Sequence, residues 1–256
     1  MTLTLQVPAE LIDIIISSID DKDSLKSCSL VARSWVPCSR LHLFRSVQLF
    51  GGTLPSFFEL LYDQHSTIRC AVERIRLSGI IRKSREFGWS KWVCDGFAEL
   101  APLLPRLSRL ELHNLLGFQQ FTGPDILGLS FGMTPLARLD LYSVKFASFM
   151  QVSNLILAFP TLEDLSIMYV HWQESCSGCI SVSSMRLQCL KLLCGERDVQ
   201  VTNWLLSQDP IPLISYYSWG VHSYEGASAI GWYLRIVGSS LTNLVINFAY
   251  DGDTGT

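Results

Sequence analysis

A six-residue apolar pattern recurs along most of this chain and limits the folds that it can adopt. The pattern reads apolar, any, any, apolar, any, apolar, and successive copies end 25 to 35 residues apart. Its eight copies are Phe44/Val47/Leu49, Val72/Ile75/Leu77, Leu107/Leu110/Leu112, Leu136/Leu139/Leu141, Leu162/Leu165/Ile167, Leu187/Leu190/Leu192, a degraded Leu213/Tyr216/Ser218, and Leu241/Leu244/Ile246. Self-similarity at such a period predicts a solenoid, in which each unit buries its apolar face against its neighbours.

Each repeating unit has room for one strand and one returning helix. Helix-like segments lie between the strand-like runs, at residues 56–61, 95–104, 149–158, 203–206 and 226–237, and prolines punctuate their ends. Successive strand–helix units build a parallel sheet with helices on one side. The sequence therefore predicts an α/β fold, with parallel strands on the concave side of a solenoid and helices on its convex side.

The first 45 residues follow a helical period instead. Leu11, Ile14 and Ile15 fall on one face of a predicted first helix. Ile12 and Ile16 form a second apolar strip beside that face. A helix with so wide an apolar arc must be covered on two sides. Because the segment is short, we expect one cover to come from elsewhere in the chain or from a partner.

Two more helices are expected in this N-terminal segment. Asp23 is placed to cap the second, and Pro37 begins the third. Four motifs stand out: Val7-Pro8-Ala9-Glu10-Leu11, Asp23-Ser24-Leu25, Leu30-Val31-Ala32-Arg33-Ser34-Trp35 and Leu43-Phe44-Arg45. In this order and spacing they resemble an F-box, in the form abundant in mushroom-type fungi. Val7 stands where the family usually has Leu, and Ala32 where it usually has Cys.

The resemblance implies a partner for the N-terminal helices. An F-box binds the Skp-type linker subunit of a cullin–RING ubiquitin ligase through an apolar helical surface. The residues expected at that interface are Pro8, Leu11, Ile12, Ile15, Ile16, Leu25, Leu30 and Val31. The alternative is that these helices only cap the domain that follows.

The remainder of the chain resembles the leucine-rich-repeat portion of F-box proteins. We therefore divide the chain into residues 1–45, the F-box-like domain, and residues 46–256, a leucine-rich-repeat-like solenoid of about eight strand units. Regular repeats place Asn or Cys three residues past the last template position, and this chain does not. Few residues follow the last predicted strand, so we expect an exposed sheet edge there and a truncated or unusually short repeat region.

The concave face of the predicted solenoid is a candidate surface for a target protein. Because strand residues alternate between faces, the residue after each final template position should face solvent. Five of these form an aromatic and methionine-containing stripe: His113, Tyr142, Met168, Leu193 and Trp219. Such stripes are typical of interaction surfaces, although a loop or a C-terminal segment could also cover this one. A flanking row could add charge specificity: Glu111, Asp140, Ser166 and Lys191.

Catalytic and metal-binding patterns are weak in this sequence. Cys176, Cys179, Cys189 and Cys194 come close to a zinc arrangement, but Cys189 lies inside a strand template, so we predict no metal or other cofactor there. The five histidines form no recognisable catalytic motif, and no glycine-rich phosphate loop is present. We therefore expect a protein that is not an enzyme.

The amino-acid composition also limits the classes of binding partner that we expect. A net charge of −3 argues against nucleic acid. Polar residues interrupt every apolar run before membrane-spanning length, and the N-terminus lacks a signal-peptide pattern, so we expect no membrane partner and a cytoplasmic or nuclear protein with free thiols. The F-box resemblance implies a substrate-recognition adaptor of a Skp–cullin–F-box ligase. The alternative is a repeat scaffold whose N-terminal helices have no ligase role.

Overall fold

The fold is α/β and is built around a parallel sheet of eight strands. The computed structural model describes residues 7–79, 102–115, 135–174, 185–221 and 224–248. Within them lie seven α-helices and ten strands. The large sheet has the order β1-β2-β3-β4-β6-β8-β9-β10, and a second, two-stranded parallel sheet pairs β5 with β7. No helix in the described segments is long and apolar enough to cross a lipid bilayer.

The strands are short and evenly spaced. They are β1 (Ser46–Phe50), β2 (Arg74–Ser78), β3 (Arg109–His113), β4 (Arg138–Tyr142), β5 (Lys145–Ser148), β6 (Asp164–Met168), β7 (His171–Glu174), β8 (Cys189–Leu193), β9 (Tyr216–Val221) and β10 (Asn243–Phe248). The helices are α1 (Ala9–Ser17), α2 (Lys22–Val31), α3 (Val36–Phe44), α4 (Leu54–Tyr62), α5 (Phe149–Leu157), α6 (Asp198–Leu206) and α7 (Tyr224–Val237). The helix expected at residues 95–104 lies almost wholly outside the described residues.

One backbone hydrogen-bond arrangement recurs at the start of every strand of the large sheet after β1. The Arg45 carbonyl accepts hydrogen bonds from the amides of both Glu73 and Arg74, at 3.0 Å each. The same two-donor arrangement recurs at the carbonyls of Glu73, Ser108, Ala137, Glu163, Gln188 and Ser215. Because each unit repeats the contact of the one before it, the strands stay in one register from β1 to β10.

The turns after the strands also repeat. Asn114, Ser143 and Tyr169 each have a positive φ of 53° to 55°, which is uncommon for residues other than glycine. Hydrogen bonds compensate for this strain: the amides of these three residues donate to the carbonyls of the next strand at 2.7 to 2.9 Å. The turns lack the side-chain ladder of regular leucine-rich repeats, so backbone carbonyls satisfy the donors instead.

The main core lies between the large sheet and helices α4 to α7. The apolar template residues of β2, β3, β4, β6 and β8 point into it, and Ile75, Leu139, Ile167 and Leu190 are almost completely buried. The small sheet, which the sequence pattern did not predict, adds Phe146 and Trp172 to the same core. The Trp172 ring packs against Phe149 at the start of α5, with ring centroids 5.1 Å apart.

The three N-terminal helices have a small core of their own. Ile12, Ile16 and Leu25 form its centre, and Trp35 and Leu43 pack around them. Asp21, not Asp23, caps α2, because its side chain accepts a hydrogen bond from the Ser24 amide at 2.7 Å. The Lys22 ammonium donates to the Ser46 carbonyl at 3.1 Å and so links this helical unit to β1.

Candidate functional site

The outer side of the N-terminal helices carries exposed apolar residues. On α1, Leu11, Ile14 and Ile15 are 49%, 63% and 45% exposed, and at the end of α2, Leu30 and Val31 are 86% and 65% exposed. Pro8, which precedes α1, is also exposed. We call these six residues the hook surface. Exposed apolar side chains on a helix are typical of a surface that binds another protein.

Three of the predicted linker contacts lie elsewhere. Ile12, Ile16 and Leu25 are at most 5% exposed and fill the core of the helical unit, so in this conformation they cannot touch a partner. Of the two apolar strips on α1, helices α2 and α3 cover the one formed by Ile12 and Ile16. The strip with Leu11, Ile14 and Ile15 has no cover among the described residues.

The second candidate surface is the face of the large sheet that points away from the core, which we call the open face. His113, Tyr142, Met168 and Leu193 lie side by side there, since each is paired in register with the next. The rings of His113 and Tyr142 stack with centroids 5.3 Å apart. Four of the five residues of the predicted stripe are therefore neighbours.

Trp219, the fifth residue of the predicted stripe, is on the opposite face. It is 6% exposed and pairs in register with Leu192 and Ile246, which places it at a core-facing position. The template of this unit is Ile214/Tyr217/Trp219, one residue later than the sequence pattern indicated. A shift of one residue exchanges the two faces of a strand, so the prediction that Trp219 faces solvent was wrong.

Sequence reasoning missed two aromatic residues of the open face, Tyr169 and Tyr216. Tyr169 follows β6, is 48% exposed, and its ring meets the Tyr142 ring edge-on at 5.4 Å. Its positive φ turns the chain at this point. The strand template ends before Tyr169, so only its place in the repeated turn, after Asn114 and Ser143, could have indicated it.

Arginines surround a buried carboxylate on the open face. Glu111 of β3 is 1% exposed; it forms ion pairs with Arg74, with Arg76 (Nε to Oε2, 2.5 Å) and with Arg109 (Nε to Oε1, 2.7 Å). Burial of an unpaired carboxylate costs free energy of folding, and here three guanidinium groups form ion pairs with the one carboxylate. Glu111 is therefore a structural counter-ion and not a free charge for a partner.

A second carboxylate continues this network toward β6. Arg138 contacts both oxygens of Asp140, at 2.9 and 3.2 Å, and Arg109 Nε lies 3.0 Å from Asp140 Oδ2. The charged row Glu111, Asp140, Ser166 and Lys191 is in register, as predicted, but its two carboxylates are already paired. The sequence signal for the arginines is their shared position in three successive units: Arg74, Arg109 and Arg138.

The environment of His113 favours its neutral form. Burial lowers the pKa of His113, the nearby Arg76 guanidinium lowers it further, and Glu111 opposes both effects. A neutral imidazole stacked on Tyr142 presents an aromatic surface at neutral pH. The open face thus combines guanidinium groups with half-exposed aromatic rings, a composition typical of binding surfaces.

The predicted cysteine cluster is only partly described. Cys189 and Cys194 lie on opposite faces, because Cys189 is on the open face whereas Cys194 is buried in the core and its thiol donates to the Ile167 carbonyl at 3.3 Å. One metal ion cannot bind both. Cys176 and Cys179 lie outside the described residues.

No protein-family model and no curated protein matches the chain.

Proposed function

We propose that this protein is a substrate-recognition adaptor of a Skp–cullin–F-box ubiquitin ligase. In this proposal residues 1–45 are an F-box that docks the Skp-type linker subunit, and residues 46–256 are a leucine-rich-repeat solenoid that binds a target protein. The observation that carries the first part is the hook surface. Leu11, Ile15, Leu30 and Val31 are apolar, exposed and on the side of the helices away from their own core.

The regular order of the strands supports the solenoid. Each strand of the large sheet pairs with the next unit's strand, all pairs are parallel, and the same backbone contacts recur in each unit. In such an array each unit contacts only its neighbours and the sheet offers one long surface. The open face would then be the target-binding surface of the adaptor.

In this mechanism the chain would catalyse no reaction itself and would only hold the target close to the ligase. When the hook surface is bound to the linker and the open face holds a target, the target's lysines are at a high effective concentration near the transfer machinery. The four arginines beside the aromatic stripe outnumber the three carboxylates that they pair with, Glu111, Asp140 and Asp164. A target segment with acidic and aromatic side chains would fit this composition best.

The test of this proposal is binding of the full chain to a purified Skp-type linker subunit. Burial of one Leu or Ile is worth about 1.5–3 kcal/mol, so the double variant Leu11→Glu/Ile15→Glu should weaken binding at least about a hundredfold. Leu60→Glu, which changes an equally exposed leucine on α4, is the matched control and should bind as the unmodified chain does.

A repeat scaffold without a ligase role is the second candidate function. The closed core around Ile12, Ile16 and Leu25 favours it, because a helical cap needs no partner to be stable. If the unmodified chain does not bind the linker subunit, or if Leu11→Glu/Ile15→Glu binds it unchanged, the adaptor proposal is wrong and the scaffold stands.

A further inference from the structure

Three side chains that can bind a metal ion meet where α1 passes α3. They are Asp13 of α1 and Cys38 and His42 of α3, and one ligand atom from each lies within 4.8 Å of the other two. None of the three is on the hook surface or on the open face. Neither linker binding nor target binding makes use of them.

The helices fix this geometry. Cys38 and His42 are four residues apart, so they lie one turn apart on the same face of α3. Asp13 approaches that face from α1. Its Oδ1 atom accepts a hydrogen bond from the Cys38 thiol at 2.8 Å and lies 3.4 Å from His42 Nε2. The three donors therefore converge from two helices on a single point.

The donor set selects the ion. Thiolate, imidazole and carboxylate together suit Zn²⁺, whereas Mg²⁺ and Ca²⁺ prefer oxygen ligands alone. With Zn–S near 2.3 Å and Zn–N and Zn–O near 2.0–2.2 Å, tetrahedral geometry requires about 3.3–3.6 Å between ligand atoms. The Asp13–His42 separation already meets this, and the Asp13–Cys38 separation must widen by about 0.7 Å as the thiol proton leaves.

We propose that Asp13, Cys38 and His42 form a zinc site with solvent as the fourth ligand. The Asp13 side chain is 61% exposed, so an ion can enter from solvent and keep one water molecule. Because the ligands come from α1 and α3, the bound ion crosslinks the two helices that flank the small core. The site stabilises the N-terminal helical unit whether or not that unit docks a ligase.

The experiment is a titration of the full chain with Zn²⁺ after treatment with a chelator, followed by a cobalt titration. Co²⁺ bound by Cys38 gives a thiolate-to-cobalt charge-transfer band, which hydrogen bonding alone cannot produce. Cys38→Ser and His42→Gln each remove one ligand. Cys70→Ser removes an exposed thiol distant in sequence and is the matched control.

The unmodified chain should bind zinc and melt at a higher temperature with zinc than with chelator. Cys38→Ser and His42→Gln should lose one equivalent of zinc or bind it at least about tenfold more weakly, since loss of even an outer-shell partner costs about 10–100-fold. Cys70→Ser should keep full binding. The proposal is overturned if the unmodified chain binds no zinc, or if both ligand variants retain the stoichiometry and cobalt band of Cys70→Ser.

Discussion

At the scale of single residues, Asp198 is a buried carboxyl group whose pKa is strongly raised. It begins α6, is completely buried, and its carboxylate accepts a hydrogen bond from the Cys194 amide at 2.9 Å. Burial raises the pKa of Asp198 to about 7, although the Cys194 amide opposes the shift. The carboxyl group therefore fixes the turn after β8 while it lies in a poor environment for its charged form.

This raised pKa predicts a pH-dependent stability. In the unfolded chain Asp198 loses its proton near pH 4, and in the folded chain it keeps the proton to about pH 7. The unfolded state thus binds fewer protons across this window, so the free energy of unfolding should fall as pH rises from 4 to 7, by at most about 1.4 kcal/mol per pH unit. Below pH 4 and above pH 7 this contribution should be constant.

Urea unfolding at pH 5 and pH 8 checks this expectation. Asp198→Asn cannot titrate and keeps an oxygen for the Cys194 amide. The free energy of unfolding of this variant minus that of the unmodified chain should therefore be more positive at pH 8 than at pH 5. Asp20→Asn, at an exposed position, should leave the pH dependence unchanged. An identical pH dependence in Asp198→Asn and the unmodified chain would show that Asp198 titrates normally.

At the scale of the elements, the sequence pattern placed the strands of the large sheet well and gave the wrong register for one of them, β9. Leucine-rich templates predicted β2, β3, β4, β6 and β8 in the register that the structure has. Two registers one residue apart are possible for β9, because apolar residues occur in adjacent pairs just before it, at Leu213 and Ile214, and at its start, at Tyr216 and Tyr217. Periodicity alone cannot choose between them, because the choice depends on which side chains α6 and α7 can cover.

For the candidate surfaces too, the sequence pattern predicted what depends on a single element and failed where packing between elements decides. Alternation along single strands predicted that His113, Tyr142, Met168 and Leu193 share a face, since they depend only on their own templates. It could not predict the burial of Ile12 and Ile16, because α2 and α3 decide which strip of α1 is covered. The small sheet of β5 and β7 was missed because its strands are only four residues long and have no repeated apolar template.

The register of β9 can be tested by one pair of substitutions. Ile214 is completely buried and Leu213 is 60% exposed. Ile214→Ala should lower the free energy of unfolding by about 2–5 kcal/mol, as expected for a large core side chain. Leu213→Ala should change it by no more than about 0.5 kcal/mol. If thermal or urea unfolding gives the reverse order, the register read from the sequence is correct.

At the scale of the whole molecule, the strands of the large sheet differ in how many neighbours they have and in how deeply their side chains are buried. β6 lies between β4 and β8, and its Leu165 and Ile167 side chains are buried. β10 pairs only with β9 among the described strands, and Leu244, Val245 and Ile246 are about 40% exposed. A strand with one neighbour among the described strands and little buried surface is expected to open first.

Hydrogen exchange should therefore differ along the sheet. The amides of β10 that bond to β9 or to the residue before it should exchange at least about tenfold faster than those of β6, because local opening exposes them without unfolding the core. One such bond joins the Asn243 amide to the Ser215 carbonyl at 3.0 Å. β9, which has neighbours on both sides, is the internal control and should follow β6. Mass-spectrometric exchange of the full chain measures all three. Equal protection of β10 and β6 would mean that the sheet opens only as one unit, and that nearest-neighbour contacts do not set its local stability.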